Sequence, residues 1–486
     1  MRKNFIINLI FILFLNLLIK PFWIFGIERK VQNIICSEEY GLYFSLFNFA
    51  LLLNIILDFG ITNFNNRNIA QNPDKLSYYF SNIIGLRLLL GIIYAILSLS
   101  IGLFLGYETR QMSILAVLVL NQFIATFTLY LRSNISGLQM FKTDSIISVL
   151  DRLLVIIFCA ILIWGNVTHE KIRVEWFVLS QTTAYVITSL VALIIVLSKT
   201  QRIKIKFDFK FFVGFLRLTY PYALLTLLMS FYNRIDAVML ERMLENGKEQ
   251  SGIYAQAFRI NDAAAMFANL FAVLLLPMFA KMLKEKNNVE GLSKLSYLLV
   301  IIPALALSAI CFFYNQDIMQ LLYKQDFEKS AALLQMLMFG FLGICTTYIF
   351  GTLLTSNGNL KYLNIMALCG MILNICLNLI LIPKFQAMGA AVSSMITQIL
   401  TGLSQMIIAK FVFKFKINYS LIIRLLFLVV LIFIFGIFMK YLEIHWLYAS
   451  CLIAVFALTV AFVLRLFKIK EILQKIGHVN KLRIDN

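Results

Sequence analysis

Long apolar stretches separated by short charged connections fill the chain from end to end. A bilayer core of about 30 Å needs about 20 apolar residues per helix. Fourteen runs meet that length: Phe5–Phe25, Tyr40–Phe59, Tyr79–Leu105, Met112–Leu131, Ser145–Trp164, Trp176–Leu197, Val213–Leu244, Ser251–Met282, Leu295–Tyr314, Ala331–Thr355, Tyr362–Ile382, Met388–Phe411, Leu421–Phe438 and Trp446–Leu464. The pattern predicts an all-α integral membrane protein of about 14 transmembrane helices. The first run follows Arg2 and Lys3, as a signal peptide would. It lacks a small-residue cleavage site and ends at Lys20-Pro21, so a retained helix is expected.

Loop charges orient these helices. Of 43 Lys and Arg, an N-terminus in the cytoplasm puts 27 on inner segments, 11 on outer ones and five inside spans. Cytoplasmic loops of membrane proteins carry such an excess, so both termini are expected in the cytoplasm. The net charge of +19 then reflects orientation rather than a nucleic-acid partner. Composition agrees: 61% of residues are hydrophobic and 14% charged, with a mean hydropathy of +0.86. Soluble proteins run at roughly 45–50% and about 25%. Seven scattered Cys, three His and no CxxC argue against a structural zinc site or a disulfide framework, and no cofactor is expected.

The longest and most basic connection, near 199–212, follows six helices. It divides an N-terminal six-helix lobe (1–198) from a C-terminal one (213–412), with two appended helices and a basic tail (413–486) after them. Gly41-Leu42-Tyr43 opens the second run and Gly252-Ile253-Tyr254 the eighth, each after acidic residues. Two six-helix lobes in parallel pseudo-repeat are therefore expected. Pro21, Pro221, Pro277 and Pro303 lie inside spans, where a missing donor and a ring clash favour kinks. The seventh run would extend about 48 Å as a helix, so it must tilt, bend at Pro221 or project from the membrane.

No nucleotide-binding GxxxxGK[ST], HExxH, GxSxG or DxD occurs. No loop is long enough for a water-facing catalytic domain, so an enzyme is disfavoured. The remaining chemistry is charge inside the membrane, which is costly and usually faces a cavity or a partner. The five basic residues within spans are Lys20, Arg87, Arg152, Arg234 and Arg259. Arg259 and Asp262 stand i,i+3 on one face, a spacing suited either to mutual neutralisation or to a ligand. Arg234 and Asp236 point to different faces, so each needs a partner elsewhere. Asp151-Arg152 suit snorkelling or an inter-helix bridge. Lys20 and Arg87 could each reach headgroups. Asp58 caps a helix end or pairs with Arg67.

The stretches Leu57-Asp58-Phe59-Gly60-Ile61, Arg234-Ile235-Asp236-Ala237-Val238-Met239-Leu240 and Gly252-Ile253-Tyr254-Ala255-x-Ala257-x-Arg259 resemble the polysaccharide-biosynthesis exporters. So do Leu131-Arg132-x5-Leu138-x2-Phe141 and Ile382-Pro383-x5-Gly389-Ala390-Ala391. These are bacterial O-antigen-type flippases of the multidrug/oligosaccharidyl-lipid/polysaccharide superfamily. The resemblance implies two lobes around a cationic cavity, and alternating access coupled to a cation gradient. It also implies an oligosaccharide on a polyprenyl diphosphate, turned from the cytoplasmic to the periplasmic leaflet of the inner membrane. Arg234, Arg259 and Lys20, with Arg87 and Arg152, would neutralise the substrate's anionic groups, since a guanidinium matches phosphate bidentately. Asp236 and Asp262 would take up H⁺ or Na⁺. Membrane lipids and a polysaccharide polymerase machinery are the implied partners. The alternatives are a multidrug or toxic-compound cation antiporter of the same superfamily and, from another class, a membrane polysaccharide polymerase or ligase.

Overall fold

The computed structural model describes residue 19 and residues 21–165, 172–200, 207–416 and 418–466. Among them every regular element is helical. Helix α1 is a π-helical turn, Trp23–Glu28, running into Arg29–Ile34. It is followed by α2 (Ser37–Leu52), α3 (Leu76–Phe104), α4 (Thr109–Gly137), α5 (Phe141–Trp164), α6 (Val174–Leu197) and α7 (Phe209–Met243). Then come α8 (Gly247–Lys284), α9 (Glu290–Phe313), α10 (Phe327–Ser356), α11 (Leu360–Phe413), α12 (Tyr419–Tyr441) and α13 (Trp446–Val463). Twelve helices among the described residues are long and apolar enough to cross a bilayer. Most of the first predicted run and residues 201–206 of the basic connection lie outside the described residues.

Helix α11 joins two predicted spans. Its 54 residues contain one break, at Gln386 with φ 51° and ψ −133°. A Cβ on Gly389 would lie 2.3 Å from the carbonyl oxygen of Leu381. In a straight helix, residues eight apart are about 12 Å apart, so the chain folds back on itself here and crosses twice. Lys384, expected in the connection between two spans, lies two residues before this break. With that second crossing the described residues hold thirteen spans, in keeping with the about fourteen expected. The other prolines within described helices interrupt nothing: α7, α8 and α9 run through Pro221, Pro277 and Pro303, as membrane helices tolerate.

The chain forms two compact units. The first holds Met1–Gln256, Leu322–Asp326 and Asn374–Ala390. In it α4 packs against α2, α3, α5 and α6, and α2 packs against α7. Phe80 and Tyr130 stack at 5.9 Å within an apolar core that also holds Ile83, Leu86 and Leu131. The helix begun by α2 ends at Asp58, because Phe59 and Gly60 take left-handed φ values of 42° and 80°. The chain resumes as a polar helix, Ile61–Gln71, which the hydropathy pattern did not mark.

The two Gly-x-Tyr triplets meet in this unit. A Cβ on Gly41 would fall 1.8 Å from the carbonyl oxygen of Lys248, and one on Gly252 would fall 1.9 Å from that of Ser37. Gly41 pairs with Gly252 and Ser37 with Lys248 at the same offset along the sequence. The contact is reciprocal, as between elements related by a two-fold axis. Without a Cβ at either position the backbones of α2 and α8 close to direct contact, the close approach that glycine allows between membrane helices.

The second unit holds Ala257–Leu321, Phe327–Leu373 and Ala391–Asn486. Helix α9 is its hub, packed against α10, α12 and α13. Gly343 and Gly402 allow α10 and the second limb of α11 to touch through backbone. Helices α12 and α13 each bury one stripe, Leu428, Ile432, Gly436 and Met439 on one, Ala449, Ile453, Ala457 and Ala461 on the other. Their remaining large apolar side chains are exposed, among them Ile434, Ile437, Tyr448 and Val455, as befits a lipid-facing surface.

Gly41→Ala and Gly252→Ala are expected to lower the melting temperature of the purified protein, because backbone blocks the new methyl groups. Gly214→Ala, with nothing within 4 Å of its Cβ position, is expected to match or exceed wild type, since Ala favours a helix interior by about 1 kcal/mol. Equal melting of all three would contradict the crossing.

Candidate functional site: charges buried between helices

In the first unit Asp236 is 1% exposed on α7. Its carboxylate accepts hydrogen bonds from Tyr254 Oη on α8 at 3.0 Å, and from the side-chain amides of Asn374 and Asn378 on α11 at 3.1 and 2.7 Å. Asn378 also donates to the Asn374 amide oxygen at 3.2 Å. The Asn-x3-Asn spacing places both amides on one face of α11. Three donors thus satisfy oxygens that hydrocarbon would leave bare. Among the described residues two neutral amides and a phenol thus donate to this carboxylate. Among the described residues no trio of His, Cys, Asp or Glu could hold a metal ion.

Arg234, two residues earlier, faces another way, with Nη1 3.4 Å from the amide oxygen of buried Asn48 on α2. The divergence of Arg234 and Asp236 follows from their spacing, since two residues on a helix subtend about 200° at 3.6 residues per turn. Glu241, one turn beyond Ala237 on α7, is buried and accepts from Gln111 Nε2 at 2.9 Å.

Arg87 is 2% exposed. Its guanidinium pairs with Asp58, donates to the Thr126 carbonyl at 2.9 Å and to Thr62 Oγ1 at 3.0 Å, and lies over the Tyr130 ring at 5.1 Å. Asp58 in turn accepts from the backbone N–H of Thr62 at 3.2 Å. The Leu57-Asp58-Phe59-Gly60-Ile61 stretch is therefore a junction: its left-handed pair ends one helix, and its acid begins the next and clasps α3. Asp58 meets Arg87 rather than only a cap, a partner that separation along the chain could not suggest.

Arg152 on α5 donates to Tyr185 Oη on α6 at 2.9 Å and lies 3.9 Å from Asp151. Its guanidinium covers the Trp23 and Tyr185 rings at 5.9 and 5.7 Å. In the second unit Arg259 is buried and stands 3.7 Å from Asp262, the i,i+3 pair that the sequence offered as one option. Lys20 lies outside the described residues. The sequence reading missed Tyr254 as a donor, and Asn374, Asn378 and Glu241 altogether. It searched for ionisable groups well inside runs. Two amides four residues apart in an otherwise apolar span were the available signal for the Asn pair.

Such an arrangement, apolar helices bundled around buried acids and guanidinium groups, is that of a multi-pass membrane protein. The fold is similar to that of a lipid II flippase, MurJ, in an inward closed conformation, over 95% of this chain and 98% of that one, with a TM-score of 0.72 and 15% identity. It is also similar to an inward-facing multidrug resistance MATE family transporter of the MOP superfamily, over 80% of this chain and 94% of that one (TM-score 0.60, 16% identity). Residues 6–283, more than half of the chain, match the family of polysaccharide biosynthesis proteins, and the chain belongs to that family. A capsular polysaccharide biosynthesis protein of Staphylococcus aureus, CapF, is 27% identical over 192 residues, which is 38% of this chain and 47% of that relative's length.

Removing one member of a buried ion pair strands the other, at a cost of about 3 kcal/mol where the partner is partly solvated. Arg87→Met is expected to melt well below wild type, with Asp58→Asn added to it restoring part of the loss. A normal melt with abolished transport would assign Arg87 to substrate instead.

Proposed function

We propose that the protein is a secondary transporter that turns a polyprenyl-diphosphate-linked oligosaccharide, the repeat unit of a surface polysaccharide, from the cytoplasmic to the outer leaflet of a bacterial cell membrane. Family membership supports the polysaccharide pathway. The observation that carries the flippase reading is the likeness to the lipid II flippase fold over 95% of the chain. The likeness to the multidrug resistance transporter covers less of the chain, 80%. Both termini would lie in the cytoplasm, in keeping with the loop charges.

Arg234 and Arg259, joined by Lys20, Arg87 and Arg152 to the extent that their present partners release them, would neutralise the diphosphate and acidic sugars. Charge-assisted hydrogen bonds of this kind contribute about 1.5–3 kcal/mol each. Asp236 would be the coupling group, with Asp262 as a second. Proton or Na⁺ uptake at Asp236 changes what Tyr254, Asn374 and Asn378 bond to, and these donors sit on α8 and α11. Alternating access follows if that change favours a different helix arrangement.

The test is transbilayer movement of a polyprenyl-diphosphate oligosaccharide in proteoliposomes, with and without proton or sodium gradients. Wild type is expected to flip it in a gradient-dependent manner. Arg234→Gln should be slower by about 10- to 100-fold, and Asp236→Asn should lose the gradient dependence, at matched insertion. Absence of flipping together with extrusion of cationic dyes would replace this reading with the multidrug antiporter.

A further inference from the structure

At one end of the second unit a group of cations has no acid. Between Glu328 and Glu443 the sequence holds no Asp or Glu, and that stretch includes the end of α11 and all of α12. Cations at other helix ends are neutralised within the chain, Arg132 by Asp144 at 2.7 Å and Lys281 by Glu285 at 3.8 Å. Among the described residues Lys414, Lys416, Arg424 and Arg465 make no ion pair with an acid, and all four are exposed. The sequence beyond Leu466 holds more Lys and Arg than Asp and Glu, so it supplies no net negative charge.

The fold draws these cations to one edge. Lys414, left-handed at φ 54°, ends α11, and a short connection through Lys416 leads to α12. Arg424 lies about 7.5 Å along α12 from Tyr419, and its Nη1 donates to the carbonyl oxygen of Leu464 at 3.3 Å. Leu464 caps α13, and Arg465 is the next residue. Arg424 of one helix thus touches the residue beside Arg465 of another, and the like charges repel unless an anion screens them. The start of α12 adds the partial positive charge of a helix N-terminus. Toward the hydrocarbon both helices are apolar and bare, with Ile423 and Phe427 exposed on α12 and Phe462 and Val463 on α13.

We propose that this edge binds an anionic phospholipid, its headgroup phosphate held by Arg424 and Arg465 with Lys414 and Lys416 around it, and its acyl chains laid along the exposed faces of α12 and α13. A guanidinium bonds phosphate bidentately and keeps its charge at the membrane surface. Cations without an acid favour a lipid of net negative charge over a zwitterionic one, whose own ammonium group they repel. The occupant is a lipid because the cations and the bare apolar faces adjoin along the direction of the helices. A phospholipid matches both halves, whereas a soluble anion or an acidic protein segment matches only the first. The orientation expected from the loop charges puts this lipid in the cytoplasmic leaflet. The site is independent of what the protein transports.

The test titrates purified full-length protein in neutral detergent with phosphatidylglycerol labelled at its tail, and separately with phosphatidylcholine labelled in the same way, following fluorescence anisotropy. Wild type should bind phosphatidylglycerol more tightly. Its affinity should fall about fivefold for each arginine removed in Arg424→Gln and Arg465→Gln, with phosphatidylcholine binding unchanged. Lys281→Gln combined with Lys284→Gln removes the same charge from the end of α8 and should leave the preference intact. Equal binding of the two lipids by wild type refutes the site. So does an equal loss in both double variants, which would mean diffuse attraction, or a preference that survives the removal of both arginines. Displacement of the labelled lipid by inorganic phosphate, at constant ionic strength, would reassign the cations to a soluble anion and overturn the lipid. Should the arginine double variant fail to fold, Arg465→Gln alone carries the test. An unchanged affinity there is equally decisive against the site.

Discussion

Hydrocarbon offers no hydrogen-bond partner, so each polar group taken into the membrane must find one within the protein. That requirement organises the interior of this chain. Asp236 is held by donors from two other helices, and Arg87 by an acid, a hydroxyl, a carbonyl and an aromatic face. Each charge therefore ties helices that are distant in sequence.

Apolar packing sets how closely those helices stand. Lipid tails are as apolar as Leu, so helix association depends on close contact more than on escape from solvent. The Gly41–Gly252 crossing and the Gly343–Gly402 approach provide it, one in each unit. In the first, the tyrosines of the same segments continue the arrangement. Tyr254, two residues past its glycine, reaches Asp236, and Tyr40, one residue before its own, reaches Glu28. The segments around the two triplets thus combine a steric and a polar function within one helical turn.

Much of the fold was legible because the bilayer imposes a length on every crossing. Run lengths alone give α3 to α10, α12 and α13, and the break at Phe59 and Gly60 falls where the second run ends. The α11 hairpin was read as two spans, which matches its two limbs, and the non-helical break at Gln386 falls between them. The polar helix Ile61–Gln71 escaped notice because its hydropathy resembles that of a loop.

The candidate site was legible only in part. Opposed directions for Arg234 and Asp236, and the closeness of Arg259 to Asp262, follow from helix periodicity, which is a property of neighbouring residues. The resemblance of the chain to polysaccharide exporters likewise lay in local motifs and their order. Partners could not be read this way. That Asp58 meets Arg87, that Tyr40 reaches Glu28, and that Asn374 and Asn378 close on Asp236 depends on which helix faces come together. Periodicity specifies the face a residue occupies, but every helix in lipid presents many faces of similar hydropathy. Only the packing of backbones at the glycine crossings, and the need to satisfy each buried charge, selects among them.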